Sequence, residues 1–565
     1  MTRVRWIVIL IPVAIAVGSY AAMPPAARTL SPAPALAAPV RGAIHIHTKR
    51  SDGSGTVDEV ANAAARAGLN FVILTDHGDG TREPDAPSYR RGVLCIDAVE
   101  VSTASGHVVA LDLPRTTYSL GGESRDVVED IRRLGGMAIG AHPASARPQL
   151  RWTDWTVIPD GLEWINADSE WRDEPVRSFA RTLLTYPFRR PETLAALLDR
   201  PDESLRRWDS LTRQRRIVAI AGADAHARIP LTSVGDPYDN HISLPIPGYE
   251  QIFRAFSIAL PGVALTGEPK KDARAVVDAI RRGLVFSSID ALAGPVAFSF
   301  TASAEDRTVS MGDDIVTSGT TTLRVQSNAP DGVTVSLLRD GQQVHTTSGP
   351  HLEYASADAG VYRVEMQWPG APGDPPVPWV VSNPIYVLSR PRPREAIPVP
   401  VPPTDVDVRY GDGPATAWHI ENSPRSRGAL DVVPSVAGTQ LLFRYALGGT
   451  EDEGPFAAAA MAVPGGLAQY DRLIFTAQSS RPTRIWVQIR IPENGPGRSW
   501  HRSVYVDEMP RTISVAFDDM QPLEATTTGR PVLADVRDVL FVVDTINNRP
   551  GVNGQLWLDD VKVGR

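Results

Sequence analysis

The alternation of strand-like and helix-like segments across residues 41–295 is the feature that most restricts the fold of this chain. Phe71–Leu74 is an uninterrupted apolar run, as expected of a parallel strand that is covered on both faces. Before it, Thr56 and Glu59 form a capping box that opens an apolar helical stripe. Repeated strand–helix alternation predicts a parallel sheet or a βα barrel, and the charged, helical residues near 170–215 are predicted to form an insertion in it.

Two β-rich regions follow the alternating part. Residues 296–390 carry short strands with turn residues at regular intervals, which is the pattern of an immunoglobulin-like β-sandwich. A stiff proline-rich linker at 391–403 precedes a second β-rich region at 404–565. Its last segment, 555–563, resembles the closing strand of jelly-roll carbohydrate-binding modules. We therefore expect an α/β domain and two β-sandwiches, the second of them jelly-roll-like, with either a cell-surface glycan as partner or a spacer or adhesion role.

The first 40 residues have the composition of a targeting segment. Arg3 and Arg5 precede an apolar run over residues 6–20, and sequence rich in proline and alanine follows. This order predicts a cleaved export signal or, where the apolar run spans a bilayer, an uncleaved membrane anchor. We therefore expect an exported protein, periplasmic or extracellular, that is either soluble or tethered to the membrane by its N-terminal helix.

Composition excludes several classes of site. Lysine and arginine number 57 against 65 acidic residues, a formal charge of −8, which argues against a surface for nucleic-acid phosphates. Cys95 is the only cysteine, so disulfide frameworks, cysteine zinc sites and iron–sulfur centres are excluded. Any metal must therefore be bound through nitrogen and oxygen, and Cys95 is expected to be a buried small apolar residue.

Histidines and carboxylates recur at the ends of the predicted strands. His45 and His47 are two apart on one strand, so both imidazoles leave the same face. Similar short motifs complete a set of nine residues: His45, His47, Asp52, His77, Glu100, His107, His142, Asp224 and His226. Such side chains are costly to bury unless something satisfies them, and histidine with carboxylate is a ligand set for Zn²⁺, Mn²⁺ or Fe²⁺. Nine ligands are too many for one ion, so a multinuclear metal site is predicted.

The order of these motifs resembles the polymerase-and-histidinol-phosphatase (PHP) superfamily. It reads His45-x-His47, Ser51-Asp52-Gly53, Asp76-His77, Glu100, Gly106-His107, His142-Pro143 and Asp224-x-His226. Within that superfamily, the glutamate followed by Gly-His and the appended β domains are similar to the CehA/McbA (carbaryl hydrolase) type of metallohydrolase. The resemblance covers about residues 41–290 and implies a distorted (βα)7 PHP barrel.

The resemblance also implies three divalent metal ions (Zn, Mn or Fe) and a division of the nine residues among them. The first ion would be held by His45, His47, Glu100 and Asp224. The second would share Glu100 as a bridge and be completed by His107 and His142. The third would be held by Asp52, His77 and His226. The implied nucleophile is a hydroxide that bridges two of the ions, so no serine or cysteine nucleophile is needed.

Residues beside the motifs are candidates for direct roles in catalysis. Arg147, like Lys49 and Arg50, is basic and close in sequence to predicted ligands, so it could bind an anionic group such as phosphate; a solvated surface charge is the alternative for each. His241 follows the last ligand strand and is a candidate proton donor, with a surface histidine as the alternative. The candidate catalytic residues are Glu100, Asp224, Arg147 and His241.

These observations predict an exported metal-dependent hydrolase that acts on ester bonds. Phosphoesters are favoured, because they are the commonest substrates in the superfamily that the motifs resemble and because basic residues lie near the predicted ligands. Two alternatives stay open. One is a carboxylic or carbamate ester hydrolase of the carbaryl hydrolase type, and the other is an envelope binding protein that keeps its metals without turnover.

Overall fold

The structure is a computed structural model, and it describes residues 18–172, 176–230, 243–244, 246–392, 405–410, 415–435, 438–450, 454–492, 497–524 and 529–565. The chain forms two compact units, one of residues 1–114 with 127–392 and one of residues 115–126 with 393–565. Residues 1–17 of the predicted targeting segment and most of the predicted proline-rich linker lie outside the described residues. Among the described helices, none is long and apolar enough to cross a membrane.

Residues 18–22 are helical, and the helices that are described over their whole length lie between residues 57 and 282. They are α1 (Val57–Ala67), α2 (Ser124–Arg133), α3 (Ala167–Arg172), α4 (Val176–Thr185), α5 (Arg190–Ala195), α6 (Asp202–Thr212), α7 (Tyr249–Ala255) and α8 (Pro269–Arg282). The capping box predicted at the start of α1 is present, because Thr56 Oγ1 accepts from Glu59 N and Thr56 N donates to Glu59 Oε2 at 2.7 Å. Helices α3 to α6 fall in the predicted helical insertion.

The strands of the first unit come in two runs. The run that alternates with helices is β1 (Arg28–Thr29), β2 (Val40–Ile44), β3 (Phe71–Leu74), β4 (Ser88–Arg90), β5 (Val93–Asp97), β6 (Val99–Thr103), β7 (Gly106–Leu111), β8 (Met137–Gly140), β9 (Gly161–Asn166), β10 (Val218–Gly222), β11 (Ile229–Pro230), β12 (Ser243–Leu244), β13 (Ser257–Leu260), β14 (Phe286–Ser288) and β15 (Ala293–Gly294). The second run is β16 (Phe298–Ala304), β17 (Arg307–Ser310), β18 (Asp314–Val316), β19 (Thr321–Ser327), β20 (Thr334–Arg339), β21 (Gln342–Ser348), β22 (His351–Ser356), β23 (Gly360–Gln367), β24 (Val380–Ser382) and β25 (Ile385–Leu388).

Seven strands of the first run follow a closed path. Strands β6 to β10 form one sheet in sequence order, while β2 and β3 pair in a second, larger sheet. Two isolated parallel bridges connect these sheets, Ile46 to Ala225 beyond the ends of β2 and β10, and His77 to Glu100 between the end of β3 and β6. The path therefore runs from β2 through β3 and β6 to β10 and back to β2, and the bridges lie at the ends of strands that carry predicted ligands.

The closed path is not uniformly parallel. Strand β7 is antiparallel to both β6 and β8, whereas β8, β9 and β10 are parallel to one another. Only Ala104 and Ser105 separate β6 from β7. A two-residue connection can make a hairpin but not the crossover that parallel neighbours need, so β7 reverses direction.

The second run of strands in the first unit builds a sandwich. Strands β17, β16, β19 and β22 form one antiparallel sheet, and in β16 and β19 every second residue is buried, which is typical of a sheet with one covered face. The other strands, β18, β25, β23, β24, β20 and β21, belong to the large sheet that continues through β14 and β13 to β2. One sheet of this sandwich is therefore continuous with the strands that carry His45 and His77.

The second unit consists of two six-stranded antiparallel sheets around their own core. Its strands are β26 (Val406–Tyr410), β27 (Trp418–Asn422), β28 (Arg427–Pro434), β29 (Thr439–Ala446), β30 (Phe456–Ala462), β31 (Arg472–Ser479), β32 (Thr483–Ile491), β33 (Arg498–Val506), β34 (Arg511–Ala516), β35 (Gln521–Pro522), β36 (Asp538–Asp544) and β37 (Asn553–Gly564). Phe475, Phe541 and Leu558 are among the buried side chains of its core. Segment 115–126 packs in this unit, where buried Asp126 lies 3.0 Å from Arg484 Nη1.

Candidate metal centre

His45 and His47 directly follow the end of β2, in backbone that continues alongside residues 223–225. His47 N donates to Ala225 O at 3.1 Å, and Ala225 N donates to His45 O at the same distance. These bonds hold both residues against the segment that carries Asp224. Both imidazoles are completely buried, as a strand end inside a closed path requires. The spacing of two residues therefore places two histidines beside one carboxylate.

The structure brings all nine predicted ligands together. They come from the ends of β2, β3, β8 and β10, from β6 and β7, and from the loop after β2. Four overlapping groups have ligand atoms within 4.8 Å of one another: His47, Asp52, His77 and His226; His45, His47 and Asp224; His45, Glu100 and His142; and His77, Glu100 and His107. Because the groups share members, the nine side chains form one cluster, which we call the His–carboxylate cluster.

Glu100 is the centre of this cluster. It lies on β6, is buried, and its two carboxylate oxygens lie within 3.3 Å of five imidazole nitrogens. Oε2 is 3.2 Å from Nε2 of His45, 3.2 Å from Nε2 of His47 and 3.3 Å from Nδ1 of His77. Oε1 is 2.9 Å from Nδ1 of His107 and 3.0 Å from Nε2 of His142. A carboxylate shared by two sets of imidazoles has the geometry of a bridging ligand.

Asp224 and Asp52 occupy the two sides of His47. Asp224 Oδ1 lies 3.3 Å from His47 Nε2 and 3.4 Å from His45 Nε2. Asp52 Oδ1 lies 3.4 Å from the other ring nitrogen of His47, and Asp52 Oδ2 lies 3.0 Å from Nε2 of His226. Each carboxylate thus has at least two imidazoles at near-contact distance.

Several ligand atoms of the cluster lack an ordinary hydrogen bond. Within the described residues, buried His45 Nε2, His47 Nε2 and Glu100 Oε2 make none, although they face one another at 3.2 Å. Leaving a buried polar atom without a partner costs about 1–3 kcal/mol, and more for a charged one. Divalent cations bound by imidazole nitrogen and carboxylate oxygen would satisfy these atoms, so the residues present fit a metal centre.

Burial and the charges in the cluster shift the pKa values of its groups in opposite directions. Burial lowers the pKa of His47, but the neighbouring carboxylates of Asp224 and Glu100 outweigh it and raise that pKa to about 10. Burial raises the pKa of Glu100, but the imidazoles of His45 and His77 reverse this and hold it well below its ordinary value. Burial lowers the pKa of His77 to about 4, because the carboxylate of Glu100 does not offset it. Without cations, protons therefore supply part of the positive charge that the carboxylates attract.

Glu163 was not singled out from the sequence, yet it supports two of the predicted ligands. It is buried on β9, and its Oε1 is 2.6 Å from Nδ1 of His45. Its Oε2 accepts from His142 N and from Asn166 Nδ2, each at 2.7 Å. A Cβ on Gly222 would come within 1.9 Å of Glu163 Oε1, so glycine there makes room for the carboxylate. Glu163 therefore orients His45 with Nε2 toward Glu100, as carboxylates behind metal-binding histidines do.

The backbone at the cluster is held in unusual conformations. His45, His142 and Asp224 have φ angles of 67°, 31° and 42°, in the left-handed region that residues with a Cβ seldom adopt. Such conformations cost about 1–3 kcal/mol each and persist where the surroundings enforce them, typically at functional sites. The backbone contacts of His45 and His142 with neighbouring elements supply that enforcement.

Asp76 fixes the loop that carries Asp52. Its Oδ1 accepts from Thr48 N at 2.6 Å and from Ser51 Oγ at 2.8 Å, and its Oδ2 accepts from Thr48 Oγ1 at 2.8 Å. A Cβ on Gly53 would lie 2.1 Å from the carbonyl oxygen of His47, so the loop passes too close to β2 for any other residue. The polar residues of this motif thus shape the loop around Asp52.

The predicted basic residues are less directly placed. Within the described residues, no hydrogen bond or ion pair joins Arg147 to the His–carboxylate cluster; burial and the nearby Arg172 lower the pKa of Arg147. Lys49 lies 3.6 Å from Glu59, and Arg50 contacts Asp97. His241 lies outside the described residues.

Two arginines that the sequence reasoning passed over are closer to the cluster. Arg228 Nη2 lies 3.8 Å from Asp52 Oδ2. Arg172 ends α3 beside Asp168, and the charges of Asp224 and Asp52 contribute to raising its pKa against burial. A sequence signal existed for Arg228, because it stands two residues after the ligand His226.

Comparisons with known proteins identify two curated relatives of part of this chain. A segment of 122 residues, 20% of the chain, is 30% identical to the 3',5'-nucleoside bisphosphate phosphatase of Chromobacterium violaceum and spans 43% of that protein's length. A segment of 143 residues, 22% of the chain, is 30% identical to the uncharacterized protein MJ1587 of Methanocaldococcus jannaschii and spans 80% of it. No protein-family model matches the chain.

Solved structures overlay on only part of the chain. The family 11 carbohydrate-binding module of a cellulosomal cellulase of Clostridium thermocellum covers 28% of this chain and 95% of its own, at 14% identity and a TM-score of 0.25. A mannan-recognising carbohydrate-binding module covers 29% of this chain and 97% of its own, at 10% identity and a TM-score of 0.21. These overlays are too weak to assign a ligand to the matching part.

Proposed function

We propose that this chain, which belongs to the same family as the uncharacterized protein MJ1587, is a metal-dependent phosphoesterase. The observation that carries the proposal is the position of buried Glu100, whose two oxygens face five imidazole nitrogens within 3.3 Å. Similarity to part of a bisphosphate phosphatase supports phosphoesters as the substrate class. The motif order supports the finer assignment to the PHP superfamily and its CehA/McbA type.

The His–carboxylate cluster would hold three divalent ions, Zn, Mn or Fe, divided as the family resemblance implies. Such ions activate water for attack and stabilise the negative charge that develops on the substrate. The residues of the chain hold the ligand atoms in place before substrate arrives. Glu163 fixes the ring of His45, and Asp76 fixes the loop of Asp52. Preorganisation of this kind is what a hydrolytic site needs.

Arginines near the mouth of the cluster would orient an anionic substrate. Arg228 lies closest, 3.8 Å from Asp52. The positive charge of Arg172 lowers the pKa of Arg147, so these two guanidinium groups lie near each other. Guanidinium groups bind phosphate oxygens in fixed geometry. We keep Arg147 as a substrate-binding residue and His241 as a proton donor on the sequence argument alone.

A carboxylic or carbamate ester hydrolase is the second candidate function. Arg172 is paired with Asp168, and Arg50 is paired with Asp85 and Asp97, so much of the positive charge nearby is already neutralised. A neutral ester would need no cationic clamp. This arrangement favours the carbaryl hydrolase type more than the sequence alone did.

We also propose the wider setting of the enzyme from its sequence. Arg3, Arg5 and the apolar run after them support export to the periplasm or exterior, with or without a membrane tether. The same pattern analysis supports a catalytic domain over 41–295, an immunoglobulin-like sandwich over 296–390 and a jelly-roll-like domain over 404–565. A glycan partner for the last domain rests on its closing strand.

The test is a measurement of bound metal and of hydrolysis on the same protein. The full chain would be loaded with Mn²⁺, Zn²⁺ or Fe²⁺ and assayed on p-nitrophenyl phosphate, its diester and p-nitrophenyl acetate. We expect bound divalent metal and phosphoester turnover, both lost in the His45→Ala/His47→Ala variant. The matched control is His351→Ala, because His351 is exposed on β22 and far from these motifs in sequence.

Each of the remaining outcomes would contradict the proposal in a different way. Turnover of the acetate alone would replace the phosphoesterase with the ester hydrolase. Bound metal without turnover of any of the three esters would favour the envelope binding protein. Metal content that is the same in the wild type and the double variant would refute the metal centre itself.

A further inference from the structure

A small pocket opens beside the His–carboxylate cluster at His77. Its volume is about 100 Å³, and the loop His77-Gly78-Asp79-Gly80 is part of its lining. The rest of the lining consists of four apolar residues and three charged ones: Pro84, Ala98, Val99, Leu113, Arg50, Asp76 and Arg82. A Cβ on Gly78 would lie 3.1 Å from Val99 Cγ2, so the loop and the wall are closely packed. Because His77 is both a predicted ligand and part of the lining, a group in this pocket would lie next to the His–carboxylate cluster.

Two arginines at the pocket do not make it a site for an anion. Arg50 Nη1 lies 3.2 Å from Asp97 Oδ1, and Arg82 Nη2 lies 2.7 Å from Asp97 Oδ2. Arg50 also contacts Asp85. Asp97 is almost completely buried between the two guanidinium groups. Both guanidinium groups are therefore already paired with carboxylates of the protein. An anionic group that enters the pocket would meet as many carboxylates as guanidinium groups.

The remaining carboxylates of the lining are also engaged. Asp79 Oδ1 accepts from Thr81 N at 3.0 Å and from Thr81 Oγ1 at 2.6 Å. Asp76 accepts three hydrogen bonds from the loop of Thr48 and Ser51. These carboxylates hold the loops that frame the pocket, so a cationic substituent would find them already hydrogen-bonded. Beside these engaged charged groups, the pocket is lined by four apolar side chains and two glycines.

We propose that this pocket binds a small uncharged substituent of the substrate, next to the ester that the metals act on. This inference rests on the proposed function. A cavity of about 150 Å³ holds one benzene ring, so a pocket of about 100 Å³ takes roughly four non-hydrogen atoms. The substrate class is thus a monoester of a short or slender neutral alcohol. A substrate with a second charged group on that side would bind more weakly.

The test uses alkylphosphonates, which have the shape of phosphate monoesters but cannot be hydrolysed. Binding of the alkylphosphonates from methyl to hexyl, which extend beyond the estimated length of the pocket, to the metal-loaded full chain would be measured by calorimetry. We expect affinity to rise about fourfold for each added CH₂ and to level off when the pocket is full. A probe of the same length that ends in a carboxylate, 3-phosphonopropionate, should bind at least about tenfold more weakly than butylphosphonate.

Variants of Val99 test the location. Val99→Phe fills the pocket and should abolish the gain with chain length, whereas Val99→Ala enlarges it and should extend that gain to longer chains. Leu113→Ala gives a second enlargement from another wall if the phenylalanine variant fails to fold. Metal content, which these variants should not change, reports on folding of the cluster.

The outcomes distinguish a failure of the pocket proposal from a failure of the proposed phosphoesterase function. Turnover of methyl phosphate with a flat chain-length series, or equal series in the wild type and Val99→Phe, would overturn the pocket and leave the phosphoesterase standing. Tighter binding of the carboxylate probe would overturn the uncharged character of the substituent. Absence of both phosphonate binding and phosphoester turnover would refute the proposed function and this inference with it.

Discussion

The first unit contains two buried polar clusters, and they differ in how the charge of their carboxylates is balanced. In one, Arg363 donates to Asp209 at 2.6 and 2.8 Å and to Glu365 at 2.6 Å, and Arg200 donates to Glu365 at 2.6 and 2.9 Å. Two guanidinium groups face two carboxylates. The other is the His–carboxylate cluster, in which six histidines face three carboxylates, and Arg228 lies 3.8 Å from one of these, Asp52.

The difference is in where the positive charge comes from. The arginine cluster carries permanent cations and pairs every carboxylate, so it is complete as the chain folds. Apart from Arg228 near Asp52, the His–carboxylate cluster has positive charge only where an imidazole holds a proton, and buried atoms of His45, His47 and Glu100 make no hydrogen bond within the described residues. A cluster of the first kind stabilises a fold, and one of the second kind is a site for something that the chain does not supply.

Breaking the arginine cluster should have the largest effect on stability. Arg363→Ala leaves Asp209 and Glu365 buried with much of their partner charge removed, and we expect the free energy of unfolding to fall by about 3–5 kcal/mol. Urea unfolding measures this. The loss should be the same with and without added divalent metal.

The matched control for Arg363→Ala is Arg324→Ala, which removes an exposed arginine from the same sandwich. Arg324 lies 3.0 Å from Glu353, but both side chains are at least half exposed. Exposed pairs are worth about 0.2–1 kcal/mol. Equal losses in the two variants would mean that Arg363 does not hold buried charge.

Removing metal should affect stability next most strongly, and only through the His–carboxylate cluster. Ions that bind only the folded chain would stabilise it, so a chelator should lower the free energy of unfolding by about 2.7 kcal/mol when free metal had been at 100 times its Kd. Melting curves with and without chelator measure this. The His45→Ala/His47→Ala variant should show no chelator effect, and a wild type that melts at the same temperature in both conditions would contradict the comparison.

Loss of the support behind His45 should have a smaller effect on the metal. Glu163→Gln keeps the size of the side chain but removes the charge that faces His45 Nδ1 at 2.6 Å. Substitutions of this kind lower metal affinity about 10- to 100-fold, which is about 1.4–2.7 kcal/mol. Competition with a chromophoric chelator measures the affinity. Glu353→Gln, at an exposed position, is the control and should leave it unchanged.

Much of the architecture and the nine-residue set could be predicted from the sequence, because both depend on local patterns. Apolar runs such as Phe71–Leu74 marked the buried strands, and polar residues where those runs end marked the cluster. The reversal of β7 was harder to foresee, since its apolar run looks like those of strands that pair in parallel, such as β3. Its signal was the length of the connection, only Ala104 and Ser105.

The supporting residues could not be found in the same way. Glu163 lies inside the buried strand β9, and nothing in its neighbourhood resembles a ligand motif. What marks it is a single carboxylate within an otherwise apolar run, which must find a partner when buried. That partner, His45, is 118 residues away in sequence, so only the fold identifies it. Arg172, at the end of α3, depends in the same way on which elements meet at the cluster, whereas Arg228 had a signal in its position two residues after His226.

The response of stability to pH should distinguish the two clusters, because the His–carboxylate cluster contains histidines with raised pKa values and the arginine cluster contains no histidine. In the metal-free protein the pKa of His47 is raised to about 10, so the stability it contributes is complete below about pH 6.5 and is lost as pH rises toward 10. The slope for one such proton is at most about 1.4 kcal/mol per pH unit.

Metal binding must displace the proton on His47, so metal affinity should rise over the same pH range while metal-free stability falls. Urea unfolding and metal titration at pH 6.5, 8 and 9.5 measure the two trends. Metal affinity that stays constant across that range would show that His47 carries no proton for a cation to replace.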